Sequence, residues 1–165
     1  MGAQGTRAVD AAKRAGIPHT VHEYAHDDRA SLRTGGKGYA LEAVDALGID
    51  AARVFKTIVV DVDGRLGLAI VPADAEVDLK AAADALGGRK ATIAQAADAE
   101  RATGYVLGGI SPLGQRKRLG TVLDDSALEF GTVLVSAGRR GVDVELAPAD
   151  LVRLTHASTA PISRR

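Results

Sequence analysis

No cysteine occurs in the 165-residue chain, which removes a disulfide framework, a thiolate metal site and a cysteine nucleophile together. Tryptophan is absent as well, and aromatic residues make up 3% of the chain, too few for a platform that grips successive bases by stacking. Net charge is also missing. Lys plus Arg (21) balance Asp plus Glu (21), so non-specific attraction to a polyanion is weak and any nucleic acid has to be engaged locally. No apolar run approaches the roughly 20 residues that span a bilayer, and the N-terminus lacks the apolar core of a secretory signal. The chain reads as cytoplasmic, with no membrane partner. Met1-Gly2 through Thr6 fits a myristoylation pattern, but in a chain with 19 glycines such a short match is expected by chance.

What is present points to one globular domain over 1–165. The hydrophobic fraction is 46%, but about thirty of those residues are alanine, so helices are favoured and bulky core residues are scarce. Thr6 can cap a helix over 8–15 that Gly16 and Pro18 stop. A strand over 19–24 follows. Residues 27–38 have no apolar period and end in clustered glycines, which predicts a mobile loop. A helix spans 39–47. The segment 54–62 is rich in β-branched residues, Asp63-Gly64 is a hairpin signal, and 66–71 is the return strand. Asp78 caps a helix over 79–86, and a second alanine-rich helix covers about 94–102. After the loop 108–114, strands are expected near 121–123, 132–137 and 142–146, and a helix over 148–155. Hairpin-linked strands interleaved with helices give a mixed α/β fold with a largely antiparallel sheet and helices packed outside.

Four features bear on chemistry. Both faces of the 54–62 strand are apolar, so it is central, and Lys56 on it needs an explanation: either its stem carries the ammonium to the rim, or a site holds it. The glycines of Gly108-Gly109-Ile110-Ser111-Pro112-Leu113-Gly114 permit close backbone approach to ligand oxygens. The string is neither a Walker A loop nor a dinucleotide fingerprint. It is not a serine-hydrolase elbow either, since Gly114 comes one residue late and Pro112 has no N–H to lend to an oxyanion hole. Asp143 and Glu145 alternate with Val142, Val144 and Leu146, the pattern of a solvated sheet face. The basic runs 115–118 and 139–140 could bracket an anion or simply be solvated. His22 and His26 do not converge, so no metal site is expected.

The strings Phe55-Lys56-Thr57, Val77-Asp78-Leu79-Lys80, 103–114 and 135–141 together resemble the YbaK/EbsC family of trans-editing aminoacyl-tRNA deacylases, related to the editing domain inserted in bacterial prolyl-tRNA synthetases. The likeness is collinear from about Val9 to the C-terminal helix and is strongest to the Cys-tRNA(Pro) deacylase branch. The chain departs from the family in a longer segment at 27–38 and a shorter hairpin at Asp63-Gly64. The resemblance implies a barrel-like sheet surrounded by helices, with a pocket for the 3′ end of mischarged tRNA(Pro). It places the family's essential lysine on Lys56, its glycine-loop positions on Gly108, Gly109 and Ser111, and pocket positions on Tyr24, Tyr39, Ser136 and Asp143. It implies no cofactor and no metal, attack by the substrate's own thiol or by water, and docking on a prolyl-tRNA synthetase that already holds the tRNA.

Overall fold

Residues 5–25 and 39–165 are described by the computed structural model; the segment 27–38, expected to be a loop, and His26 lie outside them. The first helix, α1 (Arg7–Ala15), begins where Thr6 Oγ1 accepts the Val9 N–H and ends at Gly16 in the left-handed region, φ 69°. Strand β1 (His19–Glu23) and helix α2 (Tyr39–Leu47) follow. The long hairpin β2 (Phe55–Val62) to β3 (Arg65–Pro72) turns at Asp63 (φ 51°) and Gly64 (φ 90°). Two successive positive φ values define the turn that matches strand twist. Asp63 also accepts the N–H groups of Arg89 and Lys90 at 2.7 and 3.1 Å, tying the turn to the strand that follows.

Beyond it come β4 (Glu76–Val77), α3 (Leu79–Ala85) capped by Asp78, β5 (Ala91–Ile93) and α4 (Ala96–Thr103). The C-terminal part holds β6 (Gly120–Asp124), β7 (Val133–Arg139), β8 (Val142–Leu146) and α5 (Pro148–Thr155), then β9 (Ser158–Ala160) and β10 (Ser163–Arg164).

The strands form a five-stranded sheet ordered β5-β2-β3-β6-β9, a three-stranded sheet β1-β8-β7 and the two-stranded ribbon β10-β4. Most pairs are antiparallel; β3–β6 and β6–β9 are parallel. For β6–β9 the crossover that parallel pairing requires runs through the β7–β8 hairpin and α5. The mixed, largely antiparallel α/β class expected from the sequence is therefore observed. Among the described residues the sheets do not close into one hydrogen-bonded barrel. The two larger ones meet at the parallel bridge Val54–Leu134.

Strand β2 is interior to its sheet, as its two apolar faces require. Val60 and Val62 pack with α3, Val122 and Ile162; Val59 and Leu68 pack with Ala99, Tyr105 and Ile110 on the other side. Between the two larger sheets lie Phe55, Ile70, Leu123, Val135, Val144 and neighbours, closed off by α1 and α5. Helix α2 lies against the junction of the sheets, where Ala43, Val54, Ala73 and Leu134 are buried.

Candidate functional site

A cavity of about 440 Å³ opens beside that junction, within the range of sites that enclose small ligands. Five positions from separate elements line it: Tyr24 after β1, Lys56 on β2, Gly108 in the glycine loop, Ser136 on β7 and Asp143 on β8. Apolar walls come from Val54, Phe55, Ile58, Val77 and Ile110. Pairing of β1 with β8 sets His22 opposite Asp143 and leads Tyr24 back over it. The Tyr24 hydroxyl donates to Asp143 Oδ1 at 3.3 Å.

Asp143 is 5% exposed, so the solvated face expected from alternation is not what forms. Alternation shows that Asp143 and Glu145 share a face, not what covers it. The two carboxylates divide. Glu145 binds His22 Nε2 at 2.8 Å and Arg53 at 3.1 Å and accepts the Thr132 hydroxyl; these hydrogen bonds, that from Thr132 foremost, hold it below the usual carboxylate range. Asp143 is pushed up to about 6 by burial, against the opposing effects of the Tyr24 hydrogen bond and the nearby His22. Burial, then the Asp143 charge, raises the Tyr24 phenol.

A carboxyl raised in the folded state holds its proton where the unfolded chain has lost it, so stability falls as pH rises from about 4 to about 6. The span from 3.8 to about 6 corresponds to ~3 kcal/mol. Asp143→Asn, which keeps an acceptor for Tyr24, is expected to match wild type below pH 4 and to exceed it by up to ~3 kcal/mol above pH 6.5. Urea unfolding of both proteins across that range measures the difference, and a pH-independent difference contradicts it.

Lys56 is half-buried, its Nζ 3.5 Å from the Ala73 carbonyl oxygen at the cavity wall. The neighbouring Thr57 also lines the cavity, and its hydroxyl oxygen is buried without a hydrogen-bond partner among the described residues. Thr57 was missed as a site residue because β2 periodicity groups it with Phe55; its only sequence signal is adjacency to Lys56.

The glycine loop is pinned at several points. The Leu107 N–H donates to Glu100 Oε2 at 2.8 Å, and Arg140 Nε donates to the Leu107 carbonyl at 2.9 Å. The Gly109 N–H closes a turn onto the Val106 carbonyl at 2.9 Å. Buried Tyr105 donates its hydroxyl to the Leu113 carbonyl at 2.6 Å, under the guanidinium of Arg7. Gly108, at φ 87°, sits between these restraints, and its own N–H has no partner among the described residues. An unpartnered backbone donor in a residue that lines a cavity is able to polarise a carbonyl oxygen bound beside it.

The other expected positions lie differently. Gly109 does not line the cavity: a Cβ there would stand 3.0 Å from the Arg139 Cα and the Arg140 nitrogen, so the glycine lets the loop meet the β7–β8 hairpin. Ser111 is fully buried away from the cavity, its Oγ accepting the Leu113 N–H at 3.2 Å in a turn. Tyr39 opens α2, and its side chain lies outside the described part. Ser136 has its Oγ engaged by the Gly138 N–H at 3.2 Å, and among the described residues no histidine lines the cavity to act as its base. The 115–118 run is not at this cavity; Arg118 borders a separate recess of about 150 Å³ and contacts His156. Glu76 and Arg164, which do line the cavity, gave no sequence signal, being on two-residue strands without a period.

Residues 37–154 match the family described as Aminoacyl-tRNA editing domain. A protein of Enterococcus faecalis named as a Cys-tRNA(Pro)/Cys-tRNA(Cys) deacylase, EbsC, is 34% identical over 165 residues, 98% of this chain and 95% of that protein. An Escherichia coli protein named Multifunctional Ser/Thr-tRNA deacylase ProXp-y is 35% identical over 88 residues, 53% of each. A crystal structure described as a trans-editing enzyme for prolyl tRNA synthetase superposes with a TM-score of 0.80 at 26% identity, covering 96% of both chains.

Proposed function

Since the chain belongs to the aminoacyl-tRNA editing domain family, we propose that it removes cysteine from mischarged Cys-tRNA(Pro) by positioning the aminoacyl ester so that the substrate's own thiol attacks it. The observation that carries this reading is the convergence of Tyr24, Lys56, Gly108, Ser136 and Asp143 on one cavity. A synthetase pocket shaped for proline rejects a smaller side chain by only ~1–3 kcal/mol per methylene, so a second, hydrolytic sieve is needed.

The ester is already activated, so placement and carbonyl polarisation carry the catalysis. Lys56 holds the 3′-terminal phosphate or ribose. The Gly108 N–H donates to the carbonyl oxygen as negative charge builds there. The thiol sulfur bonds to the carbonyl carbon, the bond from that carbon to the ribose oxygen breaks, and the thiol proton passes to that oxygen. The products are a four-membered thiolactone and tRNA with a free terminal hydroxyl. A prolyl-tRNA synthetase holding the tRNA is the proposed docking partner, consistent with a chain whose acidic and basic residues balance, because avidity then replaces a broad basic surface.

A second reading, attack by water on Ser-tRNA or Ala-tRNA(Pro), draws support from the Escherichia coli relative named for Ser/Thr-tRNA. Hydrolysis of Cys-, Ala-, Ser- and Pro-tRNA(Pro) by the purified protein separates the two. Cys-tRNA(Pro) is expected to be cleaved at least ~10-fold faster than Ser-tRNA(Pro), given the advantage of an intramolecular nucleophile. Equal rates for Cys- and Ser-tRNA(Pro) overturn thiol attack, and binding without turnover of any of the four leaves a non-catalytic module.

A further inference from the structure

Beyond the segment 37–154 that matches the editing family, the C-terminal strand β10 is built into the wall of the cavity. Ile162 is fully buried against Val60, Val71, Val77 and Val122. Its N–H donates to Asp124 Oδ1 at 2.9 Å, and its carbonyl accepts the Asp78 N–H at 2.7 Å. Asp124 is itself 2% exposed and also caps the turn that follows β6. Ser163 and Arg164 then pair with Val77 and Glu76. These contacts fix the backbone of a short terminal strand closely, and what that strand delivers to the cavity is the side chain of Arg164.

Among the described residues, Arg164 and Lys56 are the basic ones lining the cavity. Glu76 stands opposite Arg164 in register, yet among the described residues no carboxylate lies within ion-pair distance of Arg164. The adjacent Arg165 does have such a partner, Asp74 at 3.0 Å. A guanidinium held at a cavity edge, its fork of donors unspent among the described residues, suits a phosphate, which it can engage through two parallel hydrogen bonds.

We propose that Arg164 binds a phosphodiester of the terminal CCA, so that β10 is part of the substrate site. This rests on the tRNA reading above and deepens it. Lys56 and Arg164 then hold the single-stranded end from two sides, where a chain without net charge most needs local cations.

The test uses the full-length protein with two probes, the trinucleotide CCA and adenosine, followed by NMR titration at several salt concentrations. Arg164→Ala is expected to weaken CCA binding about 5- to 10-fold and to reduce the slope of log K against log salt by about 0.7, the contribution of one phosphate contact on a single strand. Adenosine binding is expected to stay within twofold, and Arg165→Ala to leave both probes unchanged. Equal weakening of CCA and adenosine would show a loss of wall structure instead and overturn the proposal. Unchanged CCA binding, or a wild-type protein that binds no CCA, overturns it as well. Arg164-dependent CCA binding in a protein that deacylates no aminoacyl-tRNA would sink the catalytic reading while this one stands.

Discussion

Lys56→Ala is expected to lower kcat/KM for deacylation roughly 10- to 100-fold, the range that corresponds to losing a charge-assisted hydrogen bond of ~1.5–3 kcal/mol. The lysine lies near the start of an interior strand with apolar residues on both faces, its ammonium at the cavity wall beside the Ala73 carbonyl. A lysine serving only to cover apolar surface would be replaced without loss by a residue that keeps the stem. Lys56→Met makes that distinction, since it retains the packing and discards the charge. Both variants are expected to show the same loss of activity, with Tm close to wild type. Near-wild-type kcat/KM in Lys56→Met would assign the residue to packing and remove it from the site.

Gly114→Ala is expected to be strongly destabilising, by about 3 kcal/mol or more, which for a domain of this size lowers Tm by about 10 °C. Two costs combine. The backbone at Gly114 has φ 62°, and an added Cβ would lie 2.6 Å from the Arg7 carbonyl oxygen and 2.7 Å from its carbon. Those atoms are backbone of α1 and cannot swing aside as a side-chain end would. Gly16 separates the costs, because it has nearly the same φ, 69°, with nothing within 4 Å of its Cβ position. Gly16→Ala is accordingly expected to cost only the ~1 kcal/mol of the strained conformation. Thermal unfolding of the pair measures the difference, and similar losses in both would mean that the loop yields to the methyl group.

The hairpin of β2 and β3 was legible in the sequence because three independent signals agree there: β-branched residues, Asp63-Gly64, and an apolar return segment. Helix starts at Thr6 and Asp78 were legible for the same kind of reason, a capping oxygen placed before an amphipathic run. The short strands were not. Two or three residues, as in β4, β5, β9 and β10, carry no period, and their pairing is decided by what the rest of the fold brings alongside.

Within the site, Lys56 stood out as a charge on an apolar strand, and the glycine string stood out by composition. Tyr24, Ser136 and Asp143 entered through resemblance alone, since their convergence depends on β1, β7 and β8 lying side by side. Asp143 shows the limit most plainly: its neighbours in sequence describe a polar edge, and only strand pairing places it under Tyr24. Arg164 gave no signal in the sequence, because the lone Ile162 that anchors it has no periodic companions.

Among the described residues a single bridge, Val54 to Leu134, links the two larger sheets next to the cavity. The residues around that bridge include Ala43, with no exposed surface, and Ala73, at 4%. In a close-packed interior a methylene added to either would displace its neighbours rather than fill a void, and Val54, which shares their cluster, is itself part of the cavity wall. The width of the cavity is thus set in part from behind its wall, by alanines that do not line it.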